Sequence, residues 1–217
     1  MDVETAAVIK LLDRLIALVS TWSERQDRAC AFFDSVANIQ SQREDTLTYL
    51  PRTAKDNRMH QWMNPVTTPT IVLDFPDLVP RLLGKQTRAL ERSLENIQVE
   101  LREFERVAAS LEALRRDALY QLTGADSIPK KPSFHPASIS FVEAASWIDE
   151  VSLQYRRELT AKQDMLASLN LGSETTNIQE IRDRWGLQSW INLQRETEIR
   201  DRLKLLKSME GGPRSPL

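Results

Sequence analysis

The sequence predicts an all-α protein, an elongated helical bundle or coiled coil of about four helices with two proline-rich breaks. Three observations predict it. Leu83 lies one heptad before Leu90, and Leu94, Ile97, Leu101, Phe104, Ala108 and Leu111 then follow at alternating steps of four and three, the spacing of a helical seam rather than a strand. A second seam of the same period runs through the first forty residues. Apart from Pro80 and the C-terminal tail, the prolines gather in two clusters, Pro51 to Pro76 and Pro129 to Pro136. Glycine is scarce, with 6 in 217 residues, as expected of long helices.

The first helix is expected from Glu4 to about Gln42, within a segment 1–42. Val8, Leu12, Leu15, Val19, Trp22, Gln26, Ala29, Phe33, Val36 and Gln40 keep the four-three alternation. Ile9, Leu11, Ile16 and Leu18 widen its apolar face, so the first half should touch two neighbours. Gln26 and Gln40 on the seam can fix register at some cost in stability. Cys30 sits beside the seam as a small apolar residue, and a lone cysteine allows no intramolecular disulfide.

From 43 to 76 the periodicity disappears and the chain reads as a proline-containing linker. Residues before proline are pushed towards extended conformations, and Thr67, Thr68 and Thr70 add β-branched stiffness. Met59, Trp62 and Met63 form an apolar cluster that either folds back on the bundle or docks in a partner groove. His60 has no second imidazole at ligand spacing.

The central helix is expected over 77–122, with Asp77 as N-cap and Pro80 tolerated in the first turn. At about 1.5 Å per residue it would span on the order of 65 Å and must pack lengthwise against other helices. Its seam residues Leu90, Leu94, Ile97, Leu101, Phe104 and Leu111 are the candidates for holding a partner helix. Glu112 is placed to meet Arg115 or Arg116 one turn on, a contribution of about 0.2–0.5 kcal/mol.

Residues 123–139 form the second break, with Gly124, Pro129, Pro132 and Pro136. Lys130-Lys131 is a short basic pair on a solvated loop or a weak import signal. The C-terminal helical region, 140–209, opens on Ser140 and Glu143 at capping-box spacing. A third helix to Leu169 should bury Val142, Ala145, Ile148, Tyr155, Leu159, Leu166 and Leu169. A fourth, from Asn177 to Met209, carries Ile178, Ile181 and Trp185, then Trp190, Ile191, Ile199, Leu203 and Leu206, with Gly186 expected either to bend or to interrupt it. Trp147, Trp185 and Trp190 are either binding hot spots or core filling. The tail, 210–217, is expected to be disordered, and Ser215 before Pro216 could accept phosphate.

Composition narrows the function classes. Lys plus Arg number 29 against 31 Asp plus Glu, a net charge of −2, and basic residues alternate with acids along each helix. That disfavours direct binding of nucleic acid or of an anionic membrane. The apolar stretch from Ala6 to Val19 carries Lys10, Asp13 and Arg14 and is too short to span a bilayer. No glycine-rich phosphate loop is present, the two histidines fall in the breaks, and Glu103 and Glu105 face different ways on a helix. The expectation is a non-enzyme without metal or cofactor, located in cytoplasm and nucleus.

Two regions carry a family resemblance. Phe75-Pro76-Asp77-Leu78, then Arg81-Leu82 and Lys85-Gln86, resemble the middle segment of the AIRIM family, the AAA-ATPase-interacting ribosome maturation factors. Ser146-Trp147-Ile148-Asp149, Tyr155-Arg156, Lys162, Leu166, Leu169, Asn177-Ile178-Gln179 and Trp185 are similar in order and spacing to its C-terminal pattern. The resemblance implies a non-catalytic adaptor that pairs with a second helical subunit of the cyclin-kinase-interacting protein type. It also implies a seat on spermatogenesis-associated AAA ATPases. That assembly acts in cytoplasmic maturation of the large ribosomal subunit, releasing a shuttling assembly factor, and in replisome protein turnover. On this reading Trp147, Tyr155, Arg156, Lys162, Asn177, Ile178 and Trp185 are the candidate ATPase or partner contacts. The reading from another class is a structural coiled-coil protein that self-associates through its seams, as a centrosomal, kinetochore or tethering component.

Overall fold

The computed structural model of the chain describes residues 3–49, 70–124, 139–169 and 173–210. Helices are the only regular secondary structure among them: α1 (Val3–Leu47), α2 (Thr70–Asp74), α3 (Leu78–Gly124), α4 (Phe141–Ala167), α5 (Thr175–Leu187) and α6 (Leu193–Glu210). The chain is all-α, as its periodicity predicts. The helix count differs from four for two reasons: α2 adds one turn before the central helix, and the expected fourth helix is two.

Local chemistry sets the ends. Asp77 O accepts the Arg81 N–H at 3.1 Å, the first intrahelical bond of α3, which leaves Pro80 in the first turn where no donor is needed. Ser140 Oγ accepts the Glu143 N–H at 3.1 Å, so the capping residue is where the sequence places it. α1 runs past Gln42 to Leu47 because Gln86 of α3 holds its last turn. The Gln86 Nε2 donates to Thr46 Oγ1 at 3.0 Å and to Gln42 O at 3.3 Å.

The interruption of the fourth helix falls after Gly186, not at it. Gly186 lies within α5, and the chain turns at Gln188, which has a φ of 45°. Asn192 then restarts the helix: its Oδ1 accepts the Arg195 N–H at 3.0 Å and its carbonyl accepts the Glu196 N–H at 3.2 Å. This is an Asn N-cap.

The chain divides into two compact units. The first draws on Met1–Asp27, Glu100–Met165 and Leu187–Leu217, the second on Arg28–Val99 and Leu166–Gly186. In the first, Leu12, Leu15, Val19 and Trp22 of α1 are buried, as are Phe104, Leu111 and Leu114 of α3, Trp147, Ile148, Val151 and Tyr155 of α4, and Ile199 and Leu203 of α6. Trp22 is the aromatic centre, its ring 4.4 Å from Phe104 and 4.8 Å from Tyr155 between centroids, within the range of favourable aromatic pairs. In the second unit Phe33 meets Trp185 at 5.0 Å, and Ala29, Val36, Leu90, Ile97, Ile178 and Ile181 are buried.

The buried face of α4 differs from the one expected. Ala145, Ile148 and Tyr155 are buried, and Leu159, Leu166 and Leu169 are partly so, but Val142 is exposed. The inner stripe instead runs Ile148, Val151, Tyr155, Glu158, Lys162, Met165. A count of apolar residues misses it because two of its members are charged and neutralise each other: Lys162 Nζ lies 3.1 Å from Glu158 Oε1.

Candidate partner-docking site

Most of the described residues singled out by pattern turn out to be interior ones. Along the central seam Leu90, Ile97, Phe104 and Leu111 are buried by the chain's own helices, and Leu94 and Leu101 are half-buried. The seam is therefore largely filled within this chain. Among the C-terminal candidates, Trp147, Tyr155, Lys162, Ile178 and Trp185 are also buried; Arg156 and Asn177 are exposed. Met59, His60, Trp62, Met63, Lys130, Lys131, His135 and Ser215 lie outside the described residues.

The buried polar groups of the first unit are paired. Trp147 packs between two guanidiniums, those of Arg202 and Arg195, 4.9 and 5.6 Å from its ring centroid. Arg202 also forms an ion pair with Glu143. Tyr155 donates its hydroxyl to Glu196 Oε1 at 2.6 Å, and burial pushes both the Tyr155 phenol and the Glu196 carboxyl above their ordinary ranges. Lys162, wholly buried, donates to Gln26 Oε1 at 2.9 Å and faces Glu158. Its ammonium lies 5.5 Å from the Phe104 ring centroid. The polar seam residue Gln26 is thus a partner for this lysine. On the flank, Arg115 reaches Glu112 at 3.0 Å, as its spacing predicts, and also Asp149 at 2.9 Å.

This network holds one surface feature in place, the turn between α5 and α6. Glu158 uses its second oxygen to accept the Trp190 N–H at 3.2 Å. Trp22 Nε1 donates to Gln188 Oε1 at 3.0 Å, and Gln154 Oε1 accepts the Asn192 N–H at 3.0 Å. The Arg157 guanidinium lies 5.8 Å from the Trp190 ring centroid. Three hydrogen bonds from the interior and from α4 therefore fix a five-residue turn, 188–192. They hold Gln188 in a left-handed conformation that a non-glycine residue adopts only under such constraint.

The fixed turn presents apolar side chains to solvent. Leu187 is 71% exposed, Trp190 51% and Leu193 59%. Leu153, also exposed, lies on α4 one turn from both Glu150 and Arg157. Glu150 holds Arg195 of α6 at 3.2 Å and Arg157 faces Trp190, so along α4 Leu153 falls between its contact with α6 and its contact with the turn. A half-exposed tryptophan on a hydrogen-bonded turn, with exposed Leu187 and Leu193 near it in the chain and Arg157 over its ring, is of the residue type enriched at binding hot spots. Arg156 adds an exposed cation on α4.

Sequence reasoning assigned Trp190 to a continuous helical face and passed over Leu187 and Leu193. The signal available was Asn192, a capping residue three positions before Arg195 and four before Glu196 in what otherwise reads as one helix. Among the described residues no group of three or more His, Cys, Asp or Glu side chains could hold a metal ion. No described helix is long and apolar enough to cross a membrane.

A family model described as "Ribosome biogenesis protein C1orf109-like" matches residues 10–205, a span that covers most of the first unit, all of the second and the turn at 188–192. No curated protein matches the chain.

Proposed function

This chain belongs to the C1orf109-like family of ribosome biogenesis proteins, the AIRIM family, and from that premise we propose that it is a non-catalytic adaptor subunit of an AAA ATPase complex. The ATPase is of the spermatogenesis-associated type, and a second helical subunit, of the cyclin-kinase-interacting protein type, completes the assembly. The complex works in maturation of the large ribosomal subunit, where it releases a shuttling assembly factor in the cytoplasm. A nuclear pool would serve replisome protein turnover. The mechanism is coupling by binding: the adaptor brings ATPase and client together and performs no chemistry itself.

The observation that carries the reading is the anchored turn carrying Trp190. The buried landmarks Trp147, Tyr155, Lys162 and Trp185 serve the fold, and the surface of the first unit that its interior holds in place, through Trp22 and Glu158, is the α5–α6 turn with Leu153. This is where the ATPase is expected to dock. A self-associating coiled coil would need open seams, whereas Leu90, Ile97, Phe104 and Leu111 are covered by the chain's own helices.

The test compares Trp190→Ala with Trp185→Ala, using purified chain and a hydrolysis-blocked ATPase, with affinity read by biolayer interferometry. Removing a hot-spot tryptophan costs about 2 kcal/mol, roughly thirtyfold in Kd, so Trp190→Ala should weaken association by that order with unchanged helicity. Trp185→Ala should act on the fold instead, since deleting a buried tryptophan costs about 3–5 kcal/mol of stability. Wild-type affinity in a fully helical Trp190→Ala variant would remove the turn from the ATPase contact.

A further inference from the structure

The start of α3 carries another apolar face that packing does not use. Ile71 on α2, Phe75 after it, and Leu78 and Leu82 on α3 follow at steps of four, three and four, and all are exposed, Phe75 by 62%. Phe75 N–H donates to Ile71 O at 3.0 Å and Leu78 N–H donates to Phe75 O at 3.0 Å, so near-helical spacing continues from α2 into α3. Residues at these steps line one side of a helix. The core-facing side of the same segment is separate, formed by the buried residues Val79, Gln86 and Leu90.

Charge identifies what fits this face. From Ile71 to Leu90 the segment carries Arg81, Lys85 and Arg88 against Asp74 and Asp77, and both acids precede α3, so the α3 part of the face is flanked by cations alone. At about 100° per residue these cations fall beside Leu78 and Leu82, on the side away from Val79 and Gln86. Arg81 reaches Asp77 at 3.7 Å, but both side chains are almost fully exposed, so that pair competes weakly with an incoming carboxylate. The adjoining segment 50–69 carries Arg52, Lys55 and Arg58 against one acid, Asp56, and like charge disfavours it as the occupant. A second copy stacked through the same face would oppose the same three cations.

We propose that this face docks an acidic amphipathic helix of a partner protein. The partner's apolar side would lie along Ile71, Phe75, Leu78 and Leu82, and its carboxylates would meet Arg81, Lys85 and Arg88. This is the helix-on-groove mode of recognition, in which apolar anchors at i, i+4, i+7 give affinity and flanking charge gives orientation and specificity. The inference does not rest on the ATPase reading, which concerns a different surface.

Methyl NMR on the full chain, with isoleucine and leucine methyls labelled, tests it. The probes are two designed helical peptides of about 18 residues, some 27 Å long, with the same leucine pattern but glutamate on the flanks of one and lysine on the other. The glutamate peptide should shift the Ile71, Leu78 and Leu82 methyls and bind at least tenfold more tightly than the lysine peptide. The triple variant Arg81→Glu, Lys85→Glu, Arg88→Glu, altered only on the surface, should reverse that preference. Equal affinity for both peptides, shifts confined to Leu153, Leu187 and Leu193, or no binding of either peptide would overturn the proposal. So would concentration-dependent shifts at these methyls without peptide, which would mark the face as a self-contact.

Discussion

Glu196 is a buried carboxyl in the interior of the first unit whose pKa is raised by burial. Its carboxyl is buried, and the Tyr155 hydroxyl 2.6 Å from Oε1 only partly replaces the water it gives up. Burial raises its pKa, against the opposing effects of the Tyr155 hydrogen bond and of Arg200. The folded chain thus holds this proton more tightly than the unfolded chain does. The contribution to stability is present in full below the ordinary carboxylate range and is lost as pH rises through the elevated value. Glu196→Gln keeps an oxygen to accept the Tyr155 hydroxyl and removes the ionisation. Urea unfolding midpoints between about pH 4 and 8 should therefore fall less steeply for the variant than for the parent, and the variant should be the more stable at neutral pH. Parallel curves would show that Glu196 ionises freely in the folded chain. Tyr155 cannot produce the same signature: its phenol is also raised, and its contribution is lost only above the ordinary tyrosine range, near pH 10.

At the level of helices, period and capping carried nearly all the information. The four-three steps through Leu90, Ile97, Phe104 and Leu111 located α3 and its inner face, and Ser140 and Asp77 located two helix starts. What the period did not say was which helices the inner face meets, since a heptad seam has the same spacing whether its partner is in the same chain or another. In this chain Phe104 meets Trp22, and the Lys162 ammonium lies 5.5 Å from its ring centroid. Phe104→Ala should accordingly cost about 3–5 kcal/mol of folding stability, seen as a lowered Tm by circular dichroism in the isolated chain. A variant with parental Tm that lost only a binding partner would instead restore the seam to an intermolecular role. The split between α5 and α6 was hidden for another reason. A single capping asparagine is a weak signal against eighteen residues of helix-compatible sequence, and the left-handed Gln188 is held by Trp22, a contact 166 residues away. The face of α4 was blurred by Glu158 and Lys162, whose mutual neutralisation exists only in the fold. The site followed the same logic. Its supporting residues were legible as landmarks, while the exposed Leu187, Trp190 and Leu193 depend on where the turn falls.

For the molecule as a whole, the adaptor role proposed above requires at least two surfaces that can be occupied separately. The chain offers one in each compact unit: Leu153, Leu187, Trp190 and Leu193 in the first, and Ile71, Phe75, Leu78 and Leu82 in the second. Among the described residues their flanking groups share no hydrogen-bonding partner, and substitutions without shared partners act additively to within about 0.5 kcal/mol. Trp190→Ala with Leu193→Ser should therefore reduce ATPase association while leaving the affinity for the acidic peptide within about twofold of the parent. Phe75→Ser with Leu82→Ser should do the reverse. The four-residue combination should equal the product of the two effects, measured by titrating each ligand alone and in the presence of the other. A loss of both ligands from either pair, in protein whose helicity and Tm are parental, would mean that the two faces are energetically one site and that bridging by independent docking is not how this adaptor works.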